Sequence, residues 1–75
     1  MKISILGTGA YGMAIASVLH YNKHSIKMWT NSEEEKNILL KNGKSDKVDF
    51  MIPRDIVIST DMKVVVDSAE LIIIA

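Results

Sequence analysis

A glycine pattern near the N-terminus constrains the fold of this chain more than any other feature. Gly7, Gly9 and Gly12 fit the spacing G-x-G-x-x-G, and they directly follow the apolar run 3–6. Glycine suits a tight turn at the first position, close backbone approach to a phosphate group at the second, and close packing of helix on strand at the third. Glycine-rich turns are common, so the pattern has weight only between a strand and a helix.

Both neighbours of the glycine pattern are predicted. Residues 2–6 indicate a short buried strand, and residues 10–21 are rich in apolar and small side chains, as expected of a buried helix. The backbone N–H groups and the positive dipole end of such a helix bind pyrophosphate without a basic side chain. A purely structural strand–turn–helix unit is the alternative. The predicted cofactor-binding residues of this loop are Gly7, Gly9, Ala10, Tyr11 and Gly12.

The remaining elements follow from turn and capping signals. A second strand is expected at 25–29, and a second helix with Ser32 as N-cap and Glu35 completing a capping box extends to the stop at 42–43. Residues 44–55 are expected to form an ordered loop. A third strand at 56–59, a short helix from Asp61 through Ser68, and a fourth strand from Leu71 complete the chain. The loop residues expected to contact the core are Val48, Phe50, Met51 and Ile52.

The alternation of strands and helices predicts the fold class. Strands this apolar, each followed by a helix, indicate a parallel sheet with helices on both faces, a Rossmann-type doubly wound α/β fold. A complete dinucleotide-binding fold has six strands, whereas 75 residues allow four. Residues 1–75 are therefore expected to be the N-terminal half of such a domain, with any substrate domain absent. The apolar run 71–75 would leave an open sheet edge, which favours self-association.

Composition argues against several other functions. Nine Lys or Arg balance nine Asp or Glu, so no basic field indicates nucleic acid or a membrane surface as partner. Cysteine is absent, which excludes disulfides and thiolate metal sites. His20 and His24 straddle a helix end with no carboxylate close in sequence, so no metal site is expected. The apolar run near the N-terminus is too short for a signal peptide or a membrane span, and the cytoplasm is the default location.

The end of the second strand bears on cofactor choice. A site for NAD usually has Asp or Glu there to bind the ribose 2′-hydroxyl, but this chain has Thr30. Thr30, Asn31 and Ser32 offer hydroxyls, an amide and backbone N–H groups to the 2′-phosphate of NADP. The acidic run 33–35 would repel that phosphate unless the side chains point away. NADP or NAD is therefore expected as cofactor, and the helix-terminus donors favour NADPH.

Two aromatic residues flank the expected site. Tyr11 stands inside the phosphate loop, where it is expected to lie against the cofactor, although an exposed residue on a helix is the alternative. Trp29 ends the second strand and is expected to have a structural role at the edge of the core. Neither histidine is expected to be a general base, because both lie at the end of the first helix opposite the glycine loop.

Five segments together resemble the N-terminal region of the bacterial-type NAD(P)-dependent glycerol-3-phosphate dehydrogenases. They are the run 3–14 with Tyr11 before the last glycine, Trp29, and the segments 52–56, 59–61 and 69–75. The resemblance implies an oxidoreductase that reduces dihydroxyacetone phosphate to sn-glycerol 3-phosphate for phospholipid synthesis. It also implies that the proton-donating lysine and the groups that bind the small phosphorylated substrate come from later segments. No catalytic residue is therefore expected within residues 1–75.

Two departures from this family and several competing families leave alternatives open. The family usually has glycine where Lys23 precedes His24, so Asn22 is expected to take the left-handed conformation that ends the helix. A basic residue is also common where Asn31 stands, which leaves the cofactor preference open. Ketopantoate, pyrroline-5-carboxylate and 6-phosphogluconate-type enzymes share the same skeleton. A dinucleotide-binding module without catalysis is a further alternative.

Overall fold

The computed structural model describes residues 1–43 and 51–75, which form a four-stranded sheet with three helices. All strand pairs are parallel, and the strand order is β3-β2-β1-β4. The predicted Rossmann-like α/β fold is confirmed. In chain order the elements are β1 (Lys2–Leu6), α1 (Ala10–Tyr21), β2 (Ser25–Trp29), α2 (Glu33–Asn42), β3 (Val57–Ser59), α3 (Met62–Val66) and β4 (Leu71–Ile74).

The hydrophobic core lies between the sheet and the pair α1 and α2. Successive side chains of a strand point to opposite faces, so every second residue of β1 and β2 enters this layer. Ile5 and Met28 have no exposed surface at all. They pack with Met13 of α1 and Leu39 of α2 in a single apolar cluster. Burial of these residues explains why two amphipathic helices lie on one face of the sheet.

The opposite face of the sheet carries α3 and is more polar. Ser4, which is buried, donates from Oγ to the carbonyl of Val65. Lys27 donates from Nζ to the carbonyl oxygens of Val64 at 3.2 Å and Asp67 at 3.3 Å. A cation near the carboxyl end of a helix satisfies carbonyl groups that have no partner within the helix. Helices thus lie on both faces, and α3 is held by these polar contacts together with its fully buried Val65.

The predicted Ser32 cap and Gly43 stop of α2 are confirmed, whereas the Ser32 N–H, which a capping box would bond to the Glu35 side chain, is donated to Thr30 Oγ1 at 3.2 Å. The Oγ of Ser32 accepts the Glu35 backbone N–H at 3.1 Å, and Gly43 ends the helix with a left-handed φ of 73°. Asp61 caps α3 as expected, through an Oδ1 that accepts the Lys63 backbone N–H at 3.0 Å. This helix ends at Val66 and does not extend through Ser68 as predicted, because Asp67 has an extended ψ of 127° and Ser68 then has a left-handed φ of 60°.

The end of α1 differs from its prediction. Asn22 does not take the left-handed conformation: its φ is −86°, while Lys23 has a φ of 68°. The Asn22 side chain donates from Nδ2 to the carbonyl oxygen of Val18 at 2.9 Å. This bond holds Asn22 against the last turn, so the chain reverses one residue later.

The segment before β3 is anchored to the core by isoleucines. Ile52 and Ile56 are buried in the cluster with α1 and α2, as expected for Ile52. Met51 was wrongly expected there, since 63% of its surface is exposed. Ile56 precedes β3, and its N–H closes a turn on the Pro53 carbonyl at 3.2 Å. The expectations for Val48 and Phe50 concern positions outside the described residues.

A side-chain hydrogen bond connects this segment to α1. Asp55 Oδ1 lies 2.7 Å from Nε2 of His20, so a carboxylate 35 residues away in sequence lies beside this histidine. Within residues 1–43 and 51–75, no group of three His, Cys, Asp or Glu side chains could hold a metal ion. No helix in the described ranges is long and apolar enough to cross a membrane.

One pair of matched substitutions measures how far stability depends on the central strand. Ile5→Ala removes a fully buried side chain from β1, whereas Ile72→Ala makes the same change in β4 at a side chain that is 48% exposed. We expect Ile5→Ala to lower the free energy of unfolding by about 2–5 kcal/mol because it leaves a cavity. Ile72→Ala should cost much less. Urea unfolding of both variants tests this, and equal losses would contradict the assignment of the core.

Candidate functional site

A cleft of about 400 Å³ lies at the carboxyl ends of β1 and β2. Because these strands are parallel and in register from Lys2 with Ser25 to Leu6 with Trp29, the segments that follow them emerge side by side. Residues 7–9 line one side of the cleft and residues 29–32 line the other. The cleft adjoins the point where the strand order changes direction, between β1 and β4. Open α/β sheets bind ligands in crevices at such switch points.

Two of the three motif glycines are required by the packing of the chain on itself. Gly7 has a φ of 136°, and a Cβ there would lie 2.8 Å from the carbonyl oxygen of Ala75. A Cβ at Gly12 would lie 2.7 Å from the carbonyl oxygen of Gly7. Side chains at either position would therefore push α1 or β4 away from the loop.

Gly9 differs from the other two glycines. A Cβ built there meets nothing within 4 Å, and the backbone has the ordinary extended values φ −69° and ψ 179°. Neither packing nor backbone strain within the described residues therefore requires glycine at this position. The open space beside Gly9 lies in the cleft.

The amino end of α1 starts at this open space. Gly9 is its N-cap and supplies no side-chain hydrogen bond, and no acidic residue stands in the first turn. By contrast, side chains cap α2 and α3. The first N–H groups of an α-helix have no partner within the helix, and an anion is well suited to bind them. Ala10 and Tyr11 belong to this first turn.

The turn after β2 is held by its own side chains. Thr30 is buried, donates its N–H to the Ser59 carbonyl at 3.1 Å, and accepts the Ser32 N–H on Oγ1 at 3.2 Å. Asn31 is exposed beside them. These bonds fix the direction in which α2 leaves the sheet, and all three residues line the cleft.

The cleft brings together some of the predicted residues and not others. Gly7, Gly9, Thr30, Asn31 and Ser32 line it, whereas Ala10, Tyr11 and Gly12 do not. Tyr11 is 71% exposed, so its assignment to the cofactor stays a prediction that depends on what lies over the loop.

The sequence predictions did not assign five further residues that line the cleft. Leu6 ends β1 and Ala75 follows β4, and the other three are side chains of the loop, of β2 and of α2. Thr8 is buried within the glycine loop and lines the cleft. Its position inside the glycine motif is the sequence signal that could have identified it as a site residue. Trp29 lines the cleft, and its Nε1 donates to the Thr60 carbonyl at 3.0 Å. It therefore has a position at the site in addition to the structural role expected for it. Glu35 is the third, and nothing in the local pattern distinguishes it from its acidic neighbours.

The carboxylate of Glu33, in the first turn of α2, is paired with two neighbouring side chains. Glu33 accepts the Thr60 hydroxyl on Oε2 at 2.6 Å and lies 2.9 Å from Lys36 Nζ through Oε1. The hydrogen bond from Thr60 and then the one from Lys36 lower the pKa of Glu33 below its ordinary value. Glu33 is therefore ionised at neutral pH, and its charge is directed to Lys36 and Thr60.

Comparison with known proteins places the chain in a family. Residues 2–75 match the model of the family described as NAD-dependent glycerol-3-phosphate dehydrogenase N-terminus. The chain belongs to this family. The predicted resemblance is thereby confirmed, and so is NAD or NADP as the cofactor class at the level of the family.

Individual relatives agree with the family match. The enzyme named glycerol-3-phosphate dehydrogenase, NAD(P)+, from Thermoanaerobacter sp. is 37% identical over 76 residues, covering 100% of this chain and 23% of the relative. The enzyme of the same name from Fusobacterium nucleatum is 31% identical over 77 residues with the same coverage. The chain thus spans about a quarter of the length of the curated relatives it matches.

A solved structure supports the fold. The crystal structure of glycerol-3-phosphate dehydrogenase from Coxiella burnetii superposes with a TM-score of 0.87 at 23% identity, covering 97% of this chain and 23% of that chain. At this identity the likeness is evidence for the fold alone.

A matched pair of alanine substitutions compares a glycine required by close packing with a glycine beside the open space of the cleft. Gly12→Ala should lower the free energy of unfolding by roughly 1–3 kcal/mol, because its Cβ would lie 2.7 Å from a backbone oxygen. Gly9→Ala should not destabilise the protein, since the position has room and an ordinary backbone conformation. Chemical unfolding of both variants measures the difference. A loss of stability in Gly9→Ala as large as in Gly12→Ala would contradict the described geometry.

Proposed function

We propose that this chain is the dinucleotide-binding N-terminal part of an oxidoreductase that reduces dihydroxyacetone phosphate to sn-glycerol 3-phosphate with NADH or NADPH. The observation that carries the proposal is the amino end of α1, which has no side-chain cap and begins beside open space at Gly9 within the cleft. Membership of the glycerol-3-phosphate dehydrogenase family supports the proposed substrate class.

The residues of this chain would bind and orient the cofactor. The N–H groups of Ala10, Tyr11 and Gly12 would donate to the pyrophosphate, with the helix dipole adding to the attraction. Gly7 and Gly12 would keep the loop and α1 close enough for that approach. Thr30, Asn31 and Ser32 would border the adenosine ribose on the other side of the cleft.

The reaction itself needs groups beyond the described residues. The reduced nicotinamide supplies a hydride, which would add to the carbonyl carbon of the substrate while the carbonyl oxygen takes up a proton. No residue of this chain is assigned to that proton transfer. In the proposed protein a lysine and the groups that hold the substrate phosphate come from later segments, so residues 1–75 form the first part of the dinucleotide-binding domain and have no substrate domain of their own.

The cellular setting follows from the same proposal. The product is a precursor of phospholipids, and we place the enzyme in the cytoplasm. Equal numbers of acidic and basic residues provide no field for nucleic acid or a membrane surface. The edge strand β4, with Leu71 44% and Ile72 48% exposed, would promote self-association of the chain when no further strand covers it.

Turnover by the full-length protein tests the function. Adding dihydroxyacetone phosphate to protein and NADH or NADPH should consume the reduced nicotinamide, which is followed by its absorbance. Ketopantoate, pyrroline-5-carboxylate and 3-dehydro-6-phosphogluconate serve as competing substrates. Faster oxidation with one of them would replace the proposed substrate, and binding without any turnover would favour a module that only binds the dinucleotide.

Substitution of Gly9 tests the phosphate loop. Gly9→Ala should weaken dinucleotide binding by roughly tenfold or more, because a methyl group would occupy the space meant for a phosphate and break hydrogen bonds to it. Val18→Ala is the control, since Val18 is 61% exposed near the far end of the same helix. Titration followed by nicotinamide fluorescence gives both affinities. Equal affinity of Gly9→Ala and the control would contradict the proposed loop.

A further inference from the structure

Thr60 bonds to both ends of the segment that forms one wall of the cleft, although it is not among the residues that line the cleft. It stands between β3 and α3, at the carboxyl edge of the sheet. Its backbone carbonyl accepts the indole Nε1–H of Trp29 at 3.0 Å, and its hydroxyl donates to Oε2 of Glu33 at 2.6 Å. Trp29 ends β2 and Glu33 begins α2, so the two bonds bracket residues 30–32 of the wall.

The bonds within the wall have a different role. Ser32 accepts the Glu35 N–H on Oγ and donates its own N–H to Thr30 Oγ1, and these two bonds shape the turn without connecting α2 to β3. The Thr30 N–H is donated to the Ser59 carbonyl and extends the pairing of β2 with β3 by one residue. The Thr60 hydroxyl bond instead joins the segment after β3 to the first turn of α2.

The acceptor of this hydroxyl bond is an ionised carboxylate. The hydrogen bond from Thr60 is the largest cause that lowers the pKa of Glu33, followed by the hydrogen bond from Lys36. A hydroxyl that donates to an ionised carboxylate makes a stronger bond than one between neutral groups. The Glu33 side chain is 62% exposed, so water competes with the hydroxyl and the effect of the bond on the wall is moderate.

We propose that Thr60 is a positioning residue for the cofactor, which holds residues 29–32 in the geometry that binds a dinucleotide. The inference rests on the proposed function, because it assumes that the dinucleotide occupies the cleft between this wall and the glycine loop. Without the hydroxyl bond, the first turn of α2 loses its connection through Glu33 to the segment after β3. The wall then gains conformational freedom that cofactor binding must remove, which weakens binding.

Affinity of the full-length protein for NADH tests the inference, with Thr60→Val and Thr60→Ser as a matched pair. Valine keeps the branched shape of threonine but has no hydroxyl, whereas serine keeps the hydroxyl. Neither substitution alters the backbone carbonyl that accepts the Trp29 indole. Thr60→Val should weaken NADH binding roughly three- to tenfold, and Thr60→Ser should stay within about twofold of the unaltered protein. Titration followed by nicotinamide fluorescence gives the affinities.

Two further measurements distinguish positioning from a general loss of stability. Glu33→Ala removes the acceptor of the hydroxyl bond and should itself weaken NADH binding. Adding Thr60→Val to Glu33→Ala should cause no further loss of affinity, because two changes that remove the same bond are not additive. In turnover, Thr60→Val should raise the KM for NADH and leave kcat within about twofold, since no group of the wall is assigned to the reacting atoms.

Thermal unfolding first shows which variants are folded. Unchanged NADH affinity in Thr60→Val overturns the inference, and so does an equal loss in Thr60→Ser. A further loss when Thr60→Val is added to Glu33→Ala also overturns it, because the hydroxyl would then act by another route. If Thr60→Val does not fold, Glu33→Ala provides the test, and unchanged affinity in that variant overturns the inference. Failure of the unaltered protein to bind NADH would instead overturn the proposed function, on which the inference depends.

Discussion

The close approach of three backbone segments at Gly7, Gly12 and Ala75 is the constraint on which the site depends. A Cβ at Gly12 would lie 2.7 Å from the Gly7 carbonyl oxygen, and one at Gly7 would lie 2.8 Å from that of Ala75. The first turn of α1 therefore lies directly against the loop after β1, and that loop lies against the end of β4. Parallel pairing of β1 with both β2 and β4 aligns the strand ends, so that a single cleft forms above them.

Helix ends determine the electrostatics of this cleft. Side chains occupy the amino end of α2, where Ser32 accepts the Glu35 N–H, and acidic residues fill its first turn. The amino end of α1 has neither a side-chain cap nor an acidic residue. The two helix ends that border the cleft therefore differ: side chains cap the N–H groups of α2, whereas no side chain caps those of α1. The proposed position of the cofactor pyrophosphate is therefore the amino end of α1.

Local patterns predicted most of the elements because their causes are local. The bounds of β1, α1 and β2 follow from apolar runs and turns, and the Ser32 cap and the Gly43 stop follow from backbone chemistry. Errors arose where the outcome depends on distant residues or on competing conformations. The Asn22 side chain donates to the Val18 carbonyl, and Lys23 takes the left-handed conformation instead. Met51 is exposed although the adjacent Ile52 is buried. The contact between His20 and Asp55 joins positions 35 residues apart, so no local pattern indicates it.

The sequence by itself determined the fold class, the glycine loop and the family, because glycine spacing, strand hydrophobicity and helix caps act between neighbouring residues. Only the tertiary structure decided which side chains reach the cleft. Glu33, Glu34 and Glu35 are chemically identical in the sequence, but in the fold Thr60, which follows β3, donates to Glu33, and Glu35 is among the residues that line the cleft. Which residues of α2 are buried depends on contacts between elements, such as the burial of Leu39 in the core cluster, and no local pattern specifies such contacts.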